Sequence, residues 1–170
     1  MIYNIVLTFN KETNKEIYDL YTKIKDNLNI EFGLKETSIL HITILKFESE
    51  NKLNKSEIDT ILQNVNINLT VDFSGLTLLP SSSQGCWIEL STLKNKQLIE
   101  IQNELIKKLS KFKIKSGTED NFRPHITFVK TINNNIKIKN IDYSILRKKQ
   151  VKTKLEIGLA DDTFEFHRIK

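Results

Sequence analysis

Hydrophobic and polar positions change period several times along the chain, and each change marks an element. "IYNIVLTF" is β-branched and aromatic and predicts a strand. In "NKETNKEIYDLYTKIKDNL", Ile17, Leu20, Tyr21, Ile24 and Leu28 recur at helical spacing. "SILHITILKF" returns to a strand pattern, and "NKSEIDTILQNV" predicts a shorter helix with Asn54 or Ser56 as its N-cap. "INLTVDFSGLTLL" predicts one more strand. After the turn-rich "LLPSSSQG" the plan starts again. "GCWIELST" predicts a strand, and "KNKQLIEIQNELIKKLSKF" a helix with Leu98, Ile101, Leu105 and Leu109 on one stripe. "NFRPHITFVK" predicts a strand with Pro124 at its start or on an edge. "VKTKLEIGLA" and "TFEFHRIK" predict a closing hairpin that turns at Asp161-Asp162. The pattern is that of one domain, 1–170, built as a pseudo-repeat with halves at about 1–80 and 81–170. The loops "KSGTEDN" and "INNNIKIKN" are placed to form the rims of a cleft.

The two halves share more than their order of elements. His41-Ile42-Thr43 lies on the second long strand of the first half, and His125-Ile126-Thr127 on the matching strand of the second. Side chains alternate along a strand, so each His and Thr share one face while the isoleucine points the other way. The apolar face suits helices behind it. Two such β-α-β lobes related by an approximate two-fold bring the polar faces together as a groove, with one His and one Thr on each wall. A lone H-x-T says little. A pair at matching places says more, because a repeat kept for packing alone has reason to keep the isoleucines but not their polar neighbours.

Phosphodiester cleavage needs a base for the attacking hydroxyl or water and an acid for the departing oxygen. Histidine serves both, with its unperturbed pKa of about 6.5. A nearby hydroxyl donates to a non-bridging phosphate oxygen. The other chemistries have little support. The chain holds three histidines and one cysteine, Cys86, with no H-x-x-x-H pair and no cysteine pair, so no metal site is expected. "PSSSQ" lacks the setting of a serine nucleophile, and five scattered glycines make no phosphate-binding glycine loop.

Composition changes this picture little. Hydrophobic residues make up 39% and charged residues 28%, ordinary for a soluble protein. The net charge of +5 suits a phosphate-bearing ligand, although a Lys-, Ile- and Asn-rich codon bias gives the same balance. No apolar run nears the ~20 residues of a membrane helix, and no basic-then-apolar leader opens the chain. With a single cysteine as well, a cytoplasmic protein free of membrane contact is expected.

"LHITILKF" and "FRPHITFVK", together with the tryptophan-bearing strand that opens the second half, resemble the signature motifs of the 2H (two-histidine) phosphoesterase superfamily. The nearest branch is the bacterial 2′-5′ RNA ligase, or RNA 2′,3′-cyclic phosphodiesterase, group. The resemblance covers nearly the whole chain. It implies an α+β fold of two pseudo-symmetric β-α-β lobes, with mainly antiparallel sheets facing a central cleft and helices outside. It implies catalytic roles for His41, Thr43, His125 and Thr127, no cofactor, an RNA end or nucleotide as the substrate, and a monomer. It also leaves open a phosphodiesterase for 2′,5′-oligoadenylate or cyclic-oligonucleotide signals, or an RNA-end-binding module without turnover. Ile44 and Phe128 stand where the bacterial branch often has Leu, a change on the helix face.

Further substrate contacts are expected from Arg123, which shares parity with His125, and from Trp87, which faces the cleft if Cys86, Ile88 and Leu90 face the helices. Tyr3 and Tyr143 are possible stacking partners for a base, and His167 is expected to be structural or on the surface. The lysines of "KKLSKFKIK" and "RKKQVKTK" form either a basic rim or simply solvated faces.

Overall fold

The computed structural model describes residues 1–26, 28–65, 69–81, 84–117, 122–132, 144–160 and 165–169. Its elements run in the order β1 (Ile2–Phe9), α1 (Lys11–Lys25), β2 (Ile30–Gly33), β3 (His41–Glu48), α2 (Lys55–Leu62), β4 (Thr70–Val71) and β5 (Phe73–Pro80). Then follow β6 (Cys86–Thr92), α3 (Lys96–Lys108), β7 (Lys113–Ser116), β8 (His125–Thr131), a 3₁₀ turn (Ile145–Arg147), β9 (Val151–Ala160) and β10 (Phe166–Arg168).

Each helix begins on an asparagine. The side chains of Asn10, Asn54 and Asn95 accept from the backbone N–H of Thr13, Glu57 and Leu98. This satisfies a donor that the first helical turn leaves open. Glu57 returns the contact to the backbone of Asn54, so Asn54 rather than Ser56 is the cap of α2. The apolar stripes are buried as the spacing requires: Ile17, Leu20, Tyr21 and Ile24 on α1, and Leu98, Ile101, Leu105 and Leu109 along and just after α3.

The strands form two antiparallel sheets. One has the order β10-β9-β1-β3-β7, with β4 added on β9; the other is β2-β8-β6-β5. β3 and β8, which carry the two triplets, approach each other between the sheets. The predicted closing hairpin is present as β9 paired with β10, and its expected turn at Asp161-Asp162 lies outside the described residues.

Two features depart from the sequence reading. "INLTVDFSGLTLL" is not one strand. Asp72 interrupts it: its side chain accepts from the Gln150 N–H at 2.6 Å and its carbonyl from the Leu93 N–H at 2.9 Å. β4 thus joins the first sheet and β5 the second. The second departure is a reciprocal exchange. β2, which follows α1, pairs with β8 of the other half, and β7, which follows α3, pairs with β3. The exchange reaches the helices: Tyr21 of α1 meets Phe128 of β8 edge to face at 6.1 Å, and α3 lies against β3.

Candidate active site

Strict alternation predicts one polar face along all of β3. The burial pattern shows otherwise: Ile42, Ile44, Leu45 and Phe47 are buried, and His41, Thr43, Lys46 and Glu48 face the other way. The register explains this. Ile5 pairs with Leu45 but Val6 with Thr43, so β3 carries one extra residue, a bulge, immediately after the triplet. β8 repeats the device. Ile88 pairs with Val129 but Glu89 with Thr127, and Ile126, Phe128 and Val129 are buried. The true repeat is therefore H-x-T-x-x-K, with Lys46 and Lys130 returned to the face of the His and Thr. Two consecutive apolar residues after each Thr, "IL" and "FV", were the sequence signal for both bulges.

His41, Thr43, Lys46, His125 and Thr127 line one cavity of about 200 Å³, together with Phe32, Phe166 and Glu165. Both imidazoles are held alike. His41 Nδ1 lies 2.8 Å from the Ile39 carbonyl, and His125 Nδ1 2.6 Å from the Arg123 carbonyl, each two residues back. A carbonyl only accepts, so Nδ1 carries a hydrogen in both rings and Nε2 is left for chemistry. Burial lowers the pKa of His41; the Ile39 carbonyl opposes this, while Lys46 and His125 add to it. Burial also lowers that of His125, with Glu89 and the Arg123 carbonyl pulling it back up. The ring of Phe166 lies 5.6 Å from that of His41.

Several residues of the site were not anticipated. Asn4, almost fully buried on β1, donates from Nδ2 to Thr43 Oγ1 at 3.3 Å. Thr43 thereby keeps its own hydrogen for another acceptor. Glu89, only 4% exposed, stands on β6 with its Oε1 3.3 Å from His125 Nε2. Phe32, Phe166 and Lys46 complete the cavity wall. Strand parity in "IYNIVLTF" and "CWIEL" was the available signal for Asn4 and Glu89. Phe32 reaches the site through the strand exchange, which no local pattern encodes.

The other expected contacts fall out differently. Tyr3 is not at the cleft. It is fully buried, stacked on Phe47 at 5.4 Å, and its hydroxyl accepts from the Leu53 N–H at 2.8 Å. The odd residues of β1 face the core, and Tyr3 is one of them. Arg123 does not point at the cavity as an open anchor for phosphate. Its guanidinium forks onto Glu89, with Nη2 at 3.1 Å from Oε1 and Nη1 on Oε2. Trp87 lies on the strand face opposite the buried Ile88 and Leu90. Its ring is 6.1 Å from Phe32 and 5.8 Å from the Lys130 ammonium. Lys130 also pairs with Glu31 at 2.8 Å. Tyr143 lies outside the described residues, and His167 is exposed on β10. In the lysine-rich runs, Lys113 and Lys115 meet Glu48, Lys148 meets Glu16 and Lys154 meets Glu156, as on solvated faces. No group of three His, Cys, Asp or Glu side chains suited to a metal ion forms among the described residues.

The model of the AKAP7 2′5′ RNA ligase-like domain matches residues 4–166. The chain belongs to this family. The fold agrees with that of solved structures. TT0787 of Thermus thermophilus superposes with a TM-score of 0.68 at 10% identity, over 95% of this chain and 89% of that one. LigT of E. coli, complexed with 3′-AMP, superposes with a TM-score of 0.64 at 12% identity, over 99% and 94%. By sequence, no curated protein matches. Membership in the 2H phosphoesterase superfamily makes the chain one of a family of phosphodiesterases. No helix among the described residues is long and apolar enough to cross a membrane.

Proposed function

We propose that this cleft cleaves a phosphodiester of an RNA end or small nucleotide, a 2′,3′-cyclic phosphate or a 2′-5′ linkage, by acid–base catalysis from His41 and His125 without a metal. The observation that carries the reading is the meeting of the two H-x-T pairs in one cavity with Lys46 beside them, each imidazole fixed through Nδ1 so that Nε2 is the atom that exchanges a proton. One Nε2 takes the proton of the attacking water or hydroxyl as the new P–O bond forms. The other, protonated, gives its proton to the leaving oxygen as the old P–O bond breaks. Thr43 and Thr127 donate to the non-bridging oxygens, and the Lys46 ammonium stabilises the added charge. The cavity is smaller than the about 300–1,000 Å³ of a site that engulfs a drug-sized ligand. It suits the phosphate and its sugar, leaving a base to lie toward Phe32 and Trp87.

The nucleotide in the LigT structure supports a nucleotide panel as the test. The panel contains nucleoside 2′,3′-cyclic phosphates, 2′-5′ and 3′-5′ oligonucleotides and cyclic dinucleotides, assayed in EDTA with the phosphate position of each product assigned. At least one should be turned over, and His41→Ala and His125→Ala should each lose about 10²–10⁴-fold in rate. Full turnover by either variant, or tight binding of every substrate with no cleavage, would overturn the proposal.

A further inference from the structure

The two walls of the cleft carry the same His, Thr and Lys, but the strands beside them differ: Asn4 stands opposite Lys46 where Trp87 stands opposite Lys130, and the residues opposite the threonines differ in charge. On the first wall, β1 sets Val6 opposite Thr43 and Thr8 opposite His41. On the second, β6 sets Glu89 opposite Thr127 and Ser91 opposite His125. A fully buried valine thus occupies the place that a buried carboxylate occupies on the other side. We infer that Glu89 is a positioning residue that favours the imidazolium form of His125, making His125 the acid and His41 the base of the proposed reaction.

The geometry carries this in three steps. The Nδ1 hydrogen of His125 is committed to the Arg123 carbonyl, so the ring can face the Glu89 carboxylate favourably only with a second proton on Nε2. The 3.3 Å separation is longer than the about 2.7–2.9 Å of a tight charge-assisted bond, so the proton is favoured there without being locked. Arg123 holds Glu89 by both carboxylate oxygens and aims it. Around His125 stand Glu89 from β6, Arg123 ahead of β8, Lys46 and His41 from β3, and Glu165, which lines the same cavity and pairs with Lys35. His41 has the Phe166 ring, Lys46 and His125 for company, with the Ile39 carbonyl on Nδ1 and with Glu165, paired to Lys35, in the same cavity; among the described residues no carboxylate stands on its Nε2 as Glu89 does on that of His125. That setting favours a neutral imidazole. During cleavage His41 Nε2 gains the proton of the attacking group and His125 Nε2 loses one to the leaving oxygen, so the pair ends with its total proton count unchanged.

The assignment rests on the proposed function, and the test separates the two. The ring resonances of the histidines are titrated by NMR in the wild type, Glu89→Gln, Glu89→Asp and Arg123→Gln. The pH profile of kcat/KM is measured in the same four proteins, on a nucleoside 2′,3′-cyclic phosphate or whichever panel diester is cleaved. Glu89→Gln should lower the His125 pKa by about one unit or more and move the alkaline limb of the profile down with it. Arg123→Gln, which unmasks the carboxylate, should move both upward, and Glu89→Asp should restore most of the wild-type behaviour. His41 should shift much less in each. An unchanged His125 titration in Glu89→Gln overturns the role of Glu89. A shift of the acid limb in place of the alkaline limb overturns the assignment of acid and base. Should no diester be cleaved, that assignment falls with the function, and the NMR titration still decides whether Glu89 sets the charge on His125.

Discussion

Asn4 on β1 holds Thr43 on β3 through a 3.3 Å hydrogen bond, while its own Oδ1 accepts none from the described residues. A buried unpaired carbonyl costs about 1–3 kcal/mol, so this residue weakens the fold at the point where it orients a proposed phosphate donor. Asn4→Leu removes both groups at similar volume. The expected outcome is unchanged or higher thermal stability together with a fall in kcat of up to about tenfold, the worth of one hydrogen bond. Thermal melts and steady-state rates on the same preparation check both halves.

Lys46 and Lys130 are equivalent by position and differ in company. Lys46 is part of the cavity lining; Lys130 lies outside that lining, on Glu31 and the Trp87 ring. Lys46→Met should raise KM by about 10–100-fold, as for a lost charge-assisted bond to phosphate. It should also move the acid limb of the rate profile to higher pH, because Lys46 holds the pKa of both histidines down. Lys130→Met should change KM less than Lys46→Met. Equal effects from the two would contradict the distinction.

Burial lowers the pKa of His41 and His125 from the ordinary 6.5. The unfolded chain therefore binds more protons than the folded one just below that value, and stability rises with pH there. This contribution is complete above about pH 6.5 and is lost as pH falls through the lowered values. Glu48 and Glu156, held below 4.5 by the lysine and arginine groups around them, act in the same direction at more acidic pH. Melts between pH 5 and 7.5 should show the slope, and His41→Asn with His125→Asn should flatten it without touching the loss below about pH 4.5.

Gly117, just past β7, has a φ of +86°, and a Cβ there would stand 2.4 Å from the Ile44 carbonyl at the bulge of β3. Its own carbonyl accepts from Gln102 of α3. Gly117→Ala should cost at least the about 1–2 kcal/mol of a left-handed residue, plus the displacement of β7 from β3. Denaturant unfolding measures the loss. A turnover change larger than that of a comparably destabilising core variant would tie the bulge to the geometry of Thr43.

Much of the architecture was legible because it is local. Helical stripes and the repeated triplets are short-range patterns, and they led to the two sheets and to the cavity that the triplets share. Apart from Tyr3, the misreadings share a cause in non-local structure. "IEFG" and "KIKS" are short strands whose partners lie in the opposite half, so nothing beside them in sequence identifies them. Asp72 ends a strand because Leu93 and Gln150 meet it from elsewhere. Tyr3 was misassigned on type alone, since an aromatic residue fits a core as well as a base. Arg123 was given a phosphate because its carboxylate partner, Glu89, lies on another strand.

The exchange of β2 and β7 makes the two halves hostages to one another. Each triplet-bearing strand is bordered on one side by a segment that the other half supplies. A fragment ending near residue 80 would leave β3 with a bare edge and carry β2 with nothing to pair. Loosening either short strand should unsettle the opposite wall first, so damage to one half should register as lost order around the other half's histidine. The duplication visible in the sequence is thus no longer two modules laid end to end. It is a single closed circuit, in which the spacing between the histidines is set by both halves at once.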